Sequence, residues 1–159
     1  VSPADFIAAV APGAQAAQLA SGVPASITIG QAAIESGWGG HAPGSNLFGI
    51  KADASWTGPT TGGLMTQEDD GGAHAEVAAF RAYPSWAASI ADHAAFLQEN
   101  PRYAPCFATS SAQDFAAALQ ACGYSTNPAY AQLLSGIIAY HNLTQYDSPT
   151  PPAAAPAAT

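Results

Sequence analysis

Apolar residues recur at three- and four-residue spacing from Phe6 to Ile34 and again beyond Ser85, while the stretch from Gly44 to Val77 is dense in Gly, Thr, Asp and Pro. The first stretch, "SPADFIAAVAPGAQAAQLASG", predicts a helix with Ser2 as N-cap, Pro3 at the first helical position and Gly22 as the stop. Phe6, Ile7 and Val10 share one face of it, and the Pro12-Gly13 pair predicts a kink or a split into two short helices. A second helix is expected from near Pro24, with Ile27, Gln31, Ile34 and Glu35 close together at helical spacing. Gly37, Gly39 and Gly40 end it, so Glu35 falls in its last turn.

In the middle segment "DDGG" (69–72) is a turn signal, and "GGLMTQE" and "HAEVAAFRAY" read as the arms of a small antiparallel hairpin. Helical patterning resumes at Ser85, with Ile90, Phe96 and Leu97 on the apolar side. "SAQDFAAALQACG" predicts a helix ending at Gly123, and "NPAYAQLLSGIIAYHN" one with Asn127 as N-cap and Pro128 at the first position. "DSPTPPAAAPAAT" has the composition of a Pro/Ala linker, which divides the chain into a folded domain over 1–144 and a tail over 145–159. The expected fold is mainly α, of α+β class: a helical lobe and a small β-hairpin lobe flank a groove, with Glu35 at its border.

Charge narrows the range of partners. Only 9% of residues are charged, and Lys51, Arg81 and Arg102 face eleven acids for a net charge of -8. Nucleic acid and anionic membrane surfaces are disfavoured, because both need clustered cations. A neutral or amphoteric substrate fits better. No apolar run approaches the roughly 20 residues of a membrane span. The opening "VSPADF" has neither a basic nor an apolar leader segment and no initiator Met, so a processed or excised domain is expected. No cofactor is implied, and His41 and His74 have no spacing that suggests a metal site.

Cys106 and Cys122 would close a loop of about 16 residues, worth roughly 3 kcal/mol if bridged. Two buried thiols acting as small hydrophobes is the alternative. A disulfide is the expectation for an exported protein.

Glu35 is the acid with the most distinctive surroundings. A carboxylate at a helix C-terminus opposes the macrodipole, and Ile34, Trp38, Leu47 and Phe48 are apolar neighbours. Both effects raise a carboxyl pKa, as a general acid requires.

"QAAIESGWG" followed by "NLFGIKA", then "FRAYPSWAASIADHAAFL", "NPRYAP" and "ALQACGYSTNPAYAQLL", closely resembles the glucosaminidase domains of glycoside hydrolase family 73. These include muralytic domains of flagellar rod-assembly proteins, autolysins and phage lysins. The resemblance runs from residue 3 to about 141 and implies a lysozyme-like fold that cuts the β-1,4 bond after N-acetylglucosamine in peptidoglycan. It makes Glu35 the general acid and Glu68, in the "T-x-E" of "TQEDDGG", the base or charge stabiliser. Asp69, Asp70 and Glu76 are weaker candidates for the second role. Tyr124 matches the family's catalytic tyrosine, and Tyr130 the second tyrosine of the same motif, a substrate contact or a packing residue. Asn46, Leu47, Phe48 and Gly49 are expected on the cleft floor, with Asn46 hydrogen-bonding to sugar; of Trp38, Trp56 and Trp86, core residues or sugar platforms, Trp56 is the one expected to line the groove. Asp92 and His93 match "S-x-x-D-[HY]", with Asp92 read as structural.

The expected activity is therefore that of an endo-β-N-acetylglucosaminidase on peptidoglycan glycan strands, performed by a monomer that is secreted, periplasmic or in the cell wall. A lytic transglycosylase and a non-catalytic wall-binding module are the alternatives.

Overall fold

The computed structural model describes residues 1–61, 64–69 and 73–147, with the backbone alone described at 64–69 and 73–77. Five α-helices appear among the described residues: α1 (Pro3–Ser21), α2 (Ala25–Ser36), α3 (Trp86–Glu99), α4 (Ala112–Ala121) and α5 (Tyr130–Tyr140). Strands β1 (Leu64–Asp69) and β2 (Ala73–Ala78) pair antiparallel, with Glu68 opposite His74 and Thr66 opposite Glu76. Isolated bridges from Lys51 to Phe80 and from Thr60 to Arg81 continue the extended backbone on either side of this ribbon.

α2 is the central element. Every residue from Ala25 to Ala33 is buried, so this helix is enclosed all round rather than amphipathic. It packs against α1 on one side and α5 on the other. The approach of α5 depends on Gly30, where a Cβ would lie 2.6 Å from Leu134. Phe6, Ile27, Ile29, Leu47, Ile90, Leu97, Leu119, Leu134 and Leu143 are the largest apolar side chains wholly buried among the described residues.

Several caps form as the residue types predict. Ser2, Ser85 and Ser111 each accept a backbone N–H from the first turn of α1, α3 and α4. The break expected at Pro12 does not occur: α1 runs unbroken to Ser21. Pro12 and Ala8 are both exposed, so the Ala8 carbonyl left without its usual donor faces water. The buried row Phe6, Ile7, Val10, Ala11, Ala14 and Ala17 holds both halves on one axis.

α5 starts later than predicted, at Tyr130 rather than Pro128. Asn127 instead closes the turn ahead of it, its Oδ1 accepting from Ala129 N at 2.9 Å. The folded part also continues past Thr144, the predicted boundary. Asp147 accepts from Ser26 N at 2.7 Å and Ser26 Oγ at 2.8 Å, fastening this segment to the start of α2. The rest of the Pro/Ala tail lies outside the described residues.

The expected disulfide is not formed. Cys106 and Cys122 are free thiols, Cys106 buried and Cys122 half-buried. They are close enough to interact: burial first, then Cys122, pushes the Cys106 thiol up to about 12. The pair therefore packs as two small apolar side chains between the 3-10 segment Pro101–Ala108 and the end of α4.

Candidate active site

Glu35 sits where α2 ends, and the turn that stops the helix is rigidly tied. Ser36 Oγ donates to the Ala32 carbonyl at 2.6 Å and accepts from Gly39 N at 2.8 Å. Trp38 N and His41 N return to the Ala33 and Ser36 carbonyls at 3.0 and 2.8 Å. Gly37, Trp38 and Gly39 all have left-handed backbone, with φ of 58°, 59° and 83°. At Gly39 a Cβ would also stand 2.8 Å from Trp86 and 3.0 Å from Phe6, so only glycine permits both the turn and the contact. Trp38 and Trp86 pack edge-on against Phe6, which makes them core residues rather than sugar platforms.

The Glu35 side chain is open to the cleft, and two cavities meet at it and at Gly49. One, of about 160 Å³, is lined by His41, Pro43, Asn46 and Phe80 as well. The other, of about 650 Å³, is lined by Phe48, Ile50, Lys51, Asp53, Arg81, Phe96, Arg102, Tyr103 and Tyr124 as well. Burial among these walls raises the Glu35 carboxyl above the ordinary carboxylate range, and the helix C-terminus acts in the same direction.

Tyr124 is the residue that ties the second cavity to the interior. Its hydroxyl is 3.2 Å from Nε2 of His93, a buried ring stacked on Phe48 at 3.8 Å with an interplanar angle of 9°. Burial drops the His93 pKa to about 3, so the ring is neutral and carries one proton. Nδ1 is buried with no hydrogen-bond partner among the described residues. An unpaired lone pair costs less than an unpaired N–H, which assigns the proton to Nε2. Tyr124 oxygen then accepts from His93 and keeps its own O–H for the cleft. Burial, followed by the neighbouring charges of Tyr130, Glu35 and Tyr103, holds the Tyr124 phenol well above its usual pKa, so it stays a donor. His93 was found in the sequence only as a motif position, without this role.

Three of the expected substrate contacts are placed differently. Tyr130 is buried beneath Tyr124, stacked at 5.6 Å and accepting from Gln31 Nε2 at 2.9 Å, so it supports the cleft from below. Asn46 lines the smaller cavity, yet its amide is fully spent inside. Nδ2 donates to the Ile50 and Arg81 carbonyls at 2.9 and 3.0 Å, and Oδ1 accepts from Phe48 N and Ile50 N at 3.2 Å. Both donors and both lone pairs are used, and its role is to shape the loop that carries Gly49. Trp56 lies next door, in a depression shared with Asp53, Arg81 and Phe96, where its ring is already covered by the Arg81 guanidinium at 4.8 Å. Phe48 and Gly49 do line the cleft, Gly49 in left-handed backbone with open space on its Cβ side.

Asp92 is structural, as expected: its Oδ2 accepts from Arg81 Nη1 at 2.8 Å and from Tyr83 hydroxyl at 2.6 Å. The Glu68 side chain, like those of Asp69 and Glu76, lies outside what is described, as does Asp70 altogether; only the β1 position of Glu68 is given. Among the described residues no three His, Cys, Asp or Glu side chains cluster as metal ligands do. None of the described helices is long and apolar enough to cross a membrane.

Comparison with known proteins gives the same outline. The glucosaminidase family, described as mannosyl-glycoprotein endo-beta-N-acetylglucosaminidase, matches residues 11–143. The peptidoglycan hydrolase FlgJ of Salmonella typhimurium is 41% identical over 141 residues, which is 84% of this chain and 45% of that protein. The chain thus spans less than half the length of this curated relative. Among solved structures, a C-terminally truncated glycoside hydrolase domain of Salmonella typhimurium FlgJ superposes with a TM-score of 0.75 at 39% identity, over 89% of this chain and 99% of that one. A peptidoglycan hydrolase mutant from Sphingomonas sp. A1 superposes with a TM-score of 0.78 at 37% identity, over 91% of this chain and 97% of that one.

Proposed function

Because the chain belongs to the glucosaminidase family of glycoside hydrolases, we propose that it is a peptidoglycan hydrolase cutting the β-1,4 bond between N-acetylglucosamine and N-acetylmuramic acid within the strand. The observation that carries this reading is Glu35: an acid with a raised pKa at the end of a buried helix, where two cavities meet. The relatives' description as peptidoglycan hydrolases supports the choice of substrate.

In this reading Glu35 donates its proton to the glycosidic oxygen as the bond to the anomeric carbon breaks. The departing sugar leaves as an alcohol, and positive charge develops at the anomeric carbon. Water then adds there, its proton passes to a base, and Glu35 regains a proton from solvent. Tyr124 directs its O–H at the acetamido group of the sugar being cut. The hairpin β1–β2 forms the wall opposite Glu35, completing a lysozyme-like two-lobed cleft, and Glu68 on β1 is the base. Two carboxyl groups about 6.5–9.5 Å apart would leave room for that water and invert the anomeric centre. The protein works where peptidoglycan is, outside the cytoplasmic membrane.

Purified sacculi treated with the protein should lose turbidity. Capture on the wall without turbidity loss would reduce the protein to a binding module. NMR of the first-formed anomer tests the place of Glu68. Inversion, with Glu68→Gln slowed about a hundredfold, fits a water-activating base. Retention with near-normal Glu68→Gln turnover would remove that role.

A further inference from the structure

The chain has three Lys and Arg side chains against eleven acids, and all three cations line the cavity that holds Glu35. They do different work. Arg81 is committed to the fold: Nε donates to the Lys51 carbonyl at 3.1 Å, Nη1 to Asp92 at 2.8 Å, and Nη2 lies 3.8 Å from Asp53. Its plane also covers Trp56. Arg102 is placed otherwise. It is exposed, near the start of the 3-10 segment Pro101–Ala108, and no ion pair joins it to a described residue. Its guanidinium carbon and Nη2 lie 3.9 Å from where a Cβ on Gly123 would stand, on the wall of the cavity that Tyr124 also lines.

We propose that Arg102 is a carboxylate-binding residue of the cleft, reading the acidic substituent on the muramic acid next to the scissile bond. This rests on the peptidoglycan reading above. Without a local cation, a protein of net charge -8 repels an anionic substrate at short range. A guanidinium on the cavity wall with no ion pair among the described residues offsets that, and its fork of donors matches a carboxylate in two hydrogen bonds. The neutral sugar rings need no such group. Arg102 therefore separates peptidoglycan from neutral N-acetylglucosamine polymers, which share its backbone linkage. The carboxylate belongs either to the lactyl ether itself or to the peptide attached to it.

The test compares wild type and Arg102→Gln on four substrates: strands carrying peptides, strands stripped by an amidase to the bare lactyl carboxylate, stripped strands whose carboxylates are converted to amides, and a neutral chitin hexamer. KM should rise about tenfold in Arg102→Gln on the carboxylate-bearing strands, with kcat within about twofold. A rise confined to stripped strands assigns the lactyl carboxylate, which is an amide wherever a peptide is attached; a rise confined to peptide-bearing strands assigns a peptide carboxylate, and a rise on both shows that Arg102 takes either. On amidated strands and the hexamer the two enzymes should differ by less than about twofold, and added salt should narrow the gap on the charged ones. An equal KM rise on amidated strands, or none on any charged strand, would overturn the proposal. Binding of the same strands to Glu35→Gln, with and without Arg102→Gln, reads the site independently of cleavage. A wild type that cleaves no strand but still discriminates carboxylate from amide would discard the hydrolase reading and keep the subsite.

Discussion

The cleft is unlike on its two sides of Glu35. The smaller side, with His41, Pro43, Asn46 and Phe80, has no Lys or Arg, and its polar amide is turned inward to hold a loop. The larger side gathers every Lys and Arg in the chain together with Phe48, Phe96, Tyr103 and Tyr124. A surface poor in charge can accept an uncharged sugar by shape and apolar contact alone. A charged substituent has to be met by a cation placed for it. The contrast teaches that the cations of this cleft are gathered on one side of Glu35, where Tyr124 also lies, and that the other side has none.

The largest expected effect removes the point where the sides meet. Glu35→Gln should keep the fold, by circular dichroism, and lose about 10²–10⁴-fold in turnover. If the protonated form of Glu35 is the catalytic one, its raised pKa makes wild-type activity fall as pH rises through that raised value. A pH–rate profile without an alkaline limb in this region would argue against Glu35 as the acid.

Asn46→Ala attacks the smaller side through its scaffold. Four hydrogen bonds are lost from the Ile50 and Arg81 carbonyls and the Phe48 and Ile50 amides, the Ile50 carbonyl keeping its bond from Arg81 N. Urea unfolding should show a loss of about 1–3 kcal/mol. Loss of sugar affinity at unchanged stability would instead return Asn46 to the role of a direct contact.

On the larger side, Tyr124→Phe should lower kcat about tenfold, whereas Tyr130→Phe, one layer below, should change kcat by less than about twofold. Equal effects on kcat would erase the distinction between the tyrosine that lines the cleft and the one buried against it.

A separate effect is on the acid side of stability. His93 has a pKa near 3 in the fold against 6.5 when exposed, so between these values the unfolded chain binds the extra proton. Stability from this residue is complete above about pH 6.5 and is lost as pH falls toward 3. Unfolding free energies of wild type should slope upward across that window, and His93→Phe should flatten the slope.

Much of this was legible in the residues because it rests on local rules. Ser2, Pro3, Ser85 and Gly37 do at the helix ends what their chemistry dictates, and Glu35 was marked by its place between a buried helix and a glycine turn. What stayed hidden depends on contacts distant in the chain. The continuity of α1 at Pro12 turns on which face meets water, a tertiary fact. Asn46 looked like a sugar ligand because its type is right for one, and only the Arg81 carbonyl, far along the chain, shows where its second donor goes. Cys106 and Cys122 have a loop length that suits a bridge, yet they are free thiols, and loop length alone says nothing of whether a bridge forms. The scarcity of cations was plain in the composition, and their convergence on one cavity was not.

The most direct test of the account is the chemical identity of the ends made on purified peptidoglycan. Products reduced with borohydride and analysed by mass spectrometry should carry N-acetylglucosaminitol at the newly formed ends, and Glu35→Gln should yield almost none. New ends that are N-acetylmuramitol or 1,6-anhydro-muramic acid would contradict it.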